Sequence, residues 1–158
     1  MYHRRVKPRL LDAAEATFAR LGLRATIDDI AREANVSRAT VYRHVRDRDE
    51  LVLAVFAREA DRLLARMADA DATSLVDGVL FAVREVPSAP LLVEVMRDPP
   101  PGAWEVCVER AHGHLGDDPV MIEWVLRMVL SLLTIPVERS EAELRAFVER
   151  VLPAPVRS

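Results

Sequence analysis

Residues 26–52, TIDDIAREANVSRATVYRHVRDRDELV, constrain this chain more than any other stretch. Ile27, Ile30, Ala31 and Ala34 fall at i, i+3, i+4 and i+7, the spacing that lays one apolar stripe along a short helix. Thr26 stands where an N-cap belongs, and Asp29 is placed as the weaker partner of a capping box. Asn35-Val36 makes a turn, and Ser37 is set to cap a second helix from Arg38 to about His44. That helix buries little except Val41, while Arg38, Thr40, Tyr42, Arg43 and His44 occupy its other side. Two short helices joined by a tight turn, the second rich in donors, have the spacing of a helix-turn-helix, whose second helix enters the major groove of DNA.

The order of residues goes further than the generic motif. Thr26, Ile30-Ala31, Val36-Ser37, Tyr42, Val45, and Arg48 ahead of Leu51 together resemble the tetracycline-repressor-like (TetR) family of bacterial transcriptional regulators. The resemblance is tight over about residues 8–56, with two departures. Val45 stands where the family more often has Phe, and Arg48 where it has Lys; both cations can hold a phosphate, but Arg does so as a bidentate fork. The resemblance implies an all-α fold. Residues 1–50 would form a three-helix helix-turn-helix domain and residues 51–158 a helical dimerisation and effector-binding domain.

Bulk composition fits that outline. Charged residues make up 30% and hydrophobic residues 51% of 158, so the chain is globular rather than disordered. Ala, Leu, Arg and Glu dominate and alternating strand patterns are absent, which points to helices. The net charge of −3 at first speaks against DNA, but its distribution does not. Residues 1–50 carry 11 Lys+Arg against 8 Asp+Glu, while residues 51–158 carry 11 against 17. Surface charge acts over about 8 Å at physiological salt, so a basic end on an acidic body suffices for local phosphate binding. A lone cysteine, Cys107, and the lack of a signal-peptide pattern lead us to expect a cytoplasmic protein. The longest apolar run, Met128 to Pro136, is too short to span a bilayer.

Pro8 opens a first helix running to about Leu21, with Leu10, Leu11, Ala14, Phe18 and Leu21 as its stripe and Gly22 at its end. Ahead of it, His3, Arg4, Arg5 and Lys7 form a basic arm, read either as a frayed terminus or as a contact to DNA. A long helix runs from Asp47–Asp49 to about Ala70. A helix capped by Thr73 or Ser74 reaches Val86, a short one runs from Pro90 to Arg97, and another from Ala103 to Leu115. Asp118-Pro119 opens a helix through Ile135, ended by Pro136, and the capping box Ser140-Glu143 opens the last one, to Leu152.

Specific roles follow. Arg38 is the first choice for a bidentate contact to guanine, and Ala39 and Thr40 are placed to meet a thymine methyl. The resemblance puts Tyr42, His44 and Arg48 on phosphates. Thr26 can join them from a positive helix N-terminus, and Arg43 suits either base or phosphate. The penultimate helix is apolar on more than one face, so it should pack on a second copy of the chain as well as on its own. In the family the last two helices pair with their symmetry mates, and Trp124, Met128, Leu132, Phe147 and Val151 are the matching contacts of a homodimer. Also by family analogy, a small apolar effector would sit among the middle helices near Leu63, Met67, Phe81, Met96 and Trp104.

Other chemistries find less support. Cys107, Glu109, His112, His114, Asp117 and Asp118 include metal-ligand types, but two His side chains two residues apart on a helix point about 200° apart. No metal, cofactor or catalysis is expected, since phosphate-loop, zinc-protease and nucleophile motifs are missing. The alternatives are a helix-turn-helix dimer acting through protein partners without an effector, and a metal-dependent enzyme.

Overall fold

The computed structural model describes residues 7–152 apart from 71, 73 and 136. The basic arm except Lys7, the alternative cap Thr73 and the helix-ending Pro136 lie outside these residues. The described residues form helices and contain no strand. In order they are α1 (Pro8–Leu21), α2 (Ile27–Glu33), α3 (Arg38–Tyr42), α4 (Arg48–Asp69), α5 (Leu75–Glu85), α6 (Pro90–Arg97), α7 (Ala103–Leu115), α8 (Pro119–Thr134) and α9 (Glu141–Val151). Single 3-10 turns at Gly22–Arg24 and Val86–Ser88 follow α1 and α5. The expected extension of α5 to Val86 is replaced by the second of these turns, which keeps Val86 buried.

Local chemistry sets the boundaries. Ser37, Asp47, Ser74, Asp118 and Ser140 each accept from backbone N–H groups at the start of the helix they precede. Thr26-Asp29 and Ser140-Glu143 are complete reciprocal capping boxes. Asp29 and Glu143 lie below the ordinary carboxylate range because the side chains of Thr26 and Ser140 donate to them. Gly22 leaves α1 at φ +64, a conformation that a residue with a Cβ rarely adopts. Asn35 supplies the left-handed turn between α2 and α3 at φ 53.

The packing turns on α4. Its first two turns, Glu50–Ala57, are buried on every face. A helix apolar all round belongs in the middle of a core, and α1, α6 and α7 all pack on this one. One continuous core runs from Leu10 and Phe18 through Ile30, Val41 and Leu51 to Leu92 and Val106. It crosses residue 50 without a gap, so packing does not divide the chain there. A second, smaller core joins α5, α8 and α9 through Val79, Leu80, Val125, Val148 and Leu152.

Polar groups lace the same helices. Arg58 Nη1 donates to Asp12 (2.6 Å) and Glu15 (2.8 Å), and Arg62 pairs with Glu15, tying α4 to α1. These pairs hold Glu15 low, against the effect of burial. Glu50, only 5% exposed, accepts the Arg46 backbone N–H at 2.8 Å, and this closes the turn into α4.

Leu51 is wholly buried at the centre of this packing. Leu51→Ala should cost about 2–5 kcal/mol in urea unfolding. A loss below ~1 kcal/mol would mean that α4 is not the central strut.

Candidate nucleic-acid interface

The five residues of α3 divide cleanly. Val41 is 0% exposed and, with the buried Val45 that follows, anchors the helix onto the core. Arg38, Ala39, Tyr42 and Arg43 are exposed, and Thr40 and His44 are half-buried. Positions i, i+1, i+4 and i+5 therefore share one outward face opposite the anchor.

That face is organised before any ligand arrives. Arg38 lies with its guanidinium 5.5 Å from the centre of the Tyr42 ring. It reaches the Tyr42 hydroxyl and Asp28 Oδ2 at 3.4 Å each. The Tyr42 hydroxyl and Asp28 together raise the Arg38 pKa. Contacts this long, on an exposed side chain, are readily exchanged for a base edge. Arg43 Nη2 donates to Thr40 Oγ1 (3.0 Å), and that hydroxyl shares a hydrogen bond with Ser37 Oγ (2.9 Å).

Two residues expected on phosphate also make contacts within the chain. The Thr26 hydroxyl and backbone N–H both donate to Asp29 Oδ2, at 2.6 and 2.9 Å, so the box holds both of its protons. Arg48 Nε donates to the Ala25 carbonyl at 2.7 Å, and its guanidinium lies 5.7 Å from the centre of the Phe18 ring. Its Nη2 is buried without a hydrogen bond. Arg48 thus clamps the start of α4 to the segment before α2. Tyr42, Arg43 and His44 remain accessible on or beside α3. Val36, 39% exposed at the turn, is an apolar neighbour of this face that periodicity did not single out.

A cavity of about 180 Å³ lies between α4, α5, α6, α7 and α8. Leu63, Met67 and Met96 line it as expected, but Phe81 and Trp104 do not. Phe81 lines a surface groove with Glu141 and Arg145 of α9, with Arg84 over its ring, because Leu75, Gly78, Val79 and Ala82 are the face that α5 turns to the cavity. Trp104 lies under Arg127 of α8, with the guanidinium 5.2 Å from its ring centre. Cys107 also lines the cavity, and burial pushes its thiol up to about 11. Helix α6 connects this cavity with the first three helices. Leu92 and Met96 are in the cavity wall, while Glu94 accepts the Leu23 N–H at 2.8 Å. Glu59 of α4 lies beside the Leu92 backbone at the start of α6, where Ala89 provides no side-chain cap, and its Oε2 is buried without a hydrogen bond. Burial, helped by Glu15, raises the Glu59 carboxyl.

On the far side, Trp124, Phe147 and Val151 are each 37% exposed, and Met128 and Leu132 are half-buried against the second core. Val120 and Ile135 at the two ends of α8 are more exposed still. His112 and His114 do not converge on Cys107. His112 faces Asp117 at 3.7 Å, and His114 Nδ1 lies 3.4 Å from the Arg110 carbonyl. Among the described residues no three His, Cys, Asp or Glu side chains gather as a metal site.

Residues 10–55 match the family described as bacterial regulatory proteins, tetR family. Over 92% of its length the chain is 34% identical to an HTH-type transcriptional regulator from Mycobacterium tuberculosis, 83% of which it covers. The chain belongs to the TetR family. It is a transcriptional regulator of helix-turn-helix type. Solved structures share the fold. The multidrug binding protein EbrR, complexed with imidazole, has a TM-score of 0.66 at 20% identity, over 94% of this chain and 95% of that one. RolR, without ligand, has a TM-score of 0.67 at 17% identity, over 94% and 99%. The fatty acid degradation regulator FadR from Bacillus halodurans has 0.60 at 16%, over 94% and 95%. TetR-family regulators bind DNA and act as dimers, and no described helix here is long and apolar enough to cross a membrane.

The two arginines should separate in a stability assay. Arg48→Ala removes the donor to Ala25 and should cost about 1–3 kcal/mol in urea unfolding. Arg38→Ala should stay within about 0.5 kcal/mol. Equal effects would contradict the clamp. For Cys107, a rise from 9.0 to about 11 leaves roughly 100-fold less thiolate near neutral pH. Iodoacetamide should therefore label the native protein at least that much more slowly than the urea-unfolded chain.

Proposed function

We propose that the protein represses transcription as a homodimer, with α3 of each copy in the major groove of a near-palindromic operator. The observation that carries this reading is the division of α3, in which one wholly buried valine anchors a helix whose remaining face is outward and basic. Arg38 reads a guanine, and Ala39 and Thr40 meet a thymine methyl. Tyr42, His44 and Arg43 hold phosphates; Arg48 and Thr26 support them from beneath, Arg48 by its clamp and Thr26 by capping α2. Residues 1–50 are the DNA-reading part, and residues 51–158 carry dimerisation and effector binding.

The second copy docks on the exposed face made by Trp124, Met128 and Leu132 of α8 with Phe147 and Val151 of α9. An apolar face of this kind on an otherwise charged surface calls for a partner. The resulting two-fold axis sets two recognition helices about 34–36 Å apart, one turn of DNA. An effector in the cavity acts on that spacing through α6, whose Leu92 and Met96 wall the cavity and whose Glu94 holds the Gly22–Arg24 turn. Membership of a family of transcriptional regulators favours a regulator over an enzyme, and among the described residues the polar groups around Cys107 do not gather as a metal site.

Selection from a random DNA pool should return inverted repeats. Arg38→Ala should then lose about 1–3 kcal/mol of discrimination at one position of each half-site while keeping its non-specific affinity. Trp124→Asp combined with Phe147→Asp should give monomers in sedimentation and lose operator binding. A monomeric wild-type protein, or selected sites without two-fold symmetry, would reject the proposal.

A further inference from the structure

We infer that the cavity between α4, α5, α6, α7 and α8 accepts an uncharged, apolar molecule about the size of one aromatic ring, and excludes carboxylates and organic cations of the same shape. The inference rests on the regulator reading only in calling this occupant an effector.

Size comes first. The cavity holds about 180 Å³. An apolar cavity of ~150 Å³ accommodates one benzene, whereas drug-sized ligands fill ~300–1,000 Å³. An occupant of seven to ten heavy atoms is therefore of the right order, and a fused polycycle or a long acyl chain is not.

Charge is decided by the wall. Leu63, Leu64, Val79, Leu92, Val125 and their neighbours present almost nothing but carbon. Such a surface leaves a water, or any buried polar group, without hydrogen-bond partners. Among the described residues Arg110 is the one charged side chain in the lining, and it is already neutralised. Its Nη1 donates to Glu109 Oε2 at 3.0 Å, and its buried Nε lies 3.2 Å from Asp61 Oδ1 as an ion pair without a hydrogen bond. A ligand carboxylate would have to displace one of these partners. Asp61 and Glu109 also line the adjoining surface groove, which shares Leu64, Arg110 and His114 with the cavity, so two carboxylates stand beside it. A cation would meet no carboxylate on the cavity wall itself. Cys107 offers no substitute charge, since its thiol stays protonated in this setting.

The remaining chemistry of the wall favours a ring. Met67, Met96 and Cys107 bring three polarisable sulfurs to one small space that also holds the Phe56 side chain. Thioethers pack well at aromatic ring edges and adapt to the outline of what they meet. Gly78 contributes no side chain to the wall, and a Cβ built there would meet Met67 Sδ at 3.4 Å, an ordinary contact. A larger residue at 78 would therefore extend into the space the ligand needs.

Three probes of matched shape test this on the purified full-length protein without DNA: toluene, benzoate and benzylammonium, read by thermal unfolding. Toluene at about 100 times its Kd should raise Tm by several degrees, while benzoate and benzylammonium at the same concentration leave it unchanged. Gly78→Leu should fold and bind toluene at least tenfold more weakly. Met96→Ala enlarges the cavity and should bind naphthalene at least tenfold more tightly than wild type does, so it decides the matter if the leucine variant does not fold. Failure of toluene to bind the wild type, binding of either charged probe as strongly as toluene, or unaltered affinities in the foldable variants would overturn the inference. Fluorescence anisotropy with random-sequence DNA, run separately, tests the regulator reading, so either idea can fail while the other stands.

Discussion

Burial of α4 on all sides over Glu50–Ala57 is the constraint on which the rest of the molecule depends. A helix half-buried on a domain surface can rock; one enclosed by α1, α6 and α7 moves only with its neighbours. Because the same helix carries Leu51 and Val52 in the first core and Leu63 and Met67 in the cavity wall, the helix-turn-helix and the helices around the cavity are joined by one continuous element. The ion pairs of Arg58 and Arg62 with α1, and the Arg48 clamp on Ala25, extend this rigidity to the outer face of the N-terminal helices.

That rigidity explains how so short a recognition helix exists. Isolated helices under ~12–15 residues are marginal in water, and α3 has five residues. It persists because Ser37 caps it and because Val41 and Val45 are buried beneath it. With the backbone held by these anchors, Arg38, Ala39, Tyr42 and Arg43 are left for contact with another molecule. Preorganisation of this kind reduces the ordering entropy lost on binding. It matters here because the N-terminal part carries only a modest excess of positive charge.

The body has two apolar features with different consequences. The cavity is small, partly open and nearly free of polar atoms, which suits a ligand that sheds most of its hydration. The α8–α9 face is open, and its large side chains stay partly exposed because the second core is too small to hide both sides of α8; only Ile122 and Val125 of that helix are buried. An apolar helix with so few buried residues in one chain is suited to a second chain.

Much of this was legible in the sequence, since caps, turns and stripes are local. Pro8, Ser37, Pro90, Asp118 and the Ser140-Glu143 box announce their helices, and the 26–52 pattern announces the motif together with its family. Even the buried Glu50 had a local signal, in the Asp47-x-x-Glu50 spacing. What no local pattern shows is which side chain meets which across the fold. Arg48 and Ala25, Glu94 and Leu23, and Arg110 and Asp61 are separated by tens of residues and meet only because α4, α6 and α7 pack together. For the same reason Phe81 and Trp104, apolar and near the right helices, face away from the cavity while Cys107 faces it. Helical periodicity tells which residues share a face; only packing decides what that face looks upon.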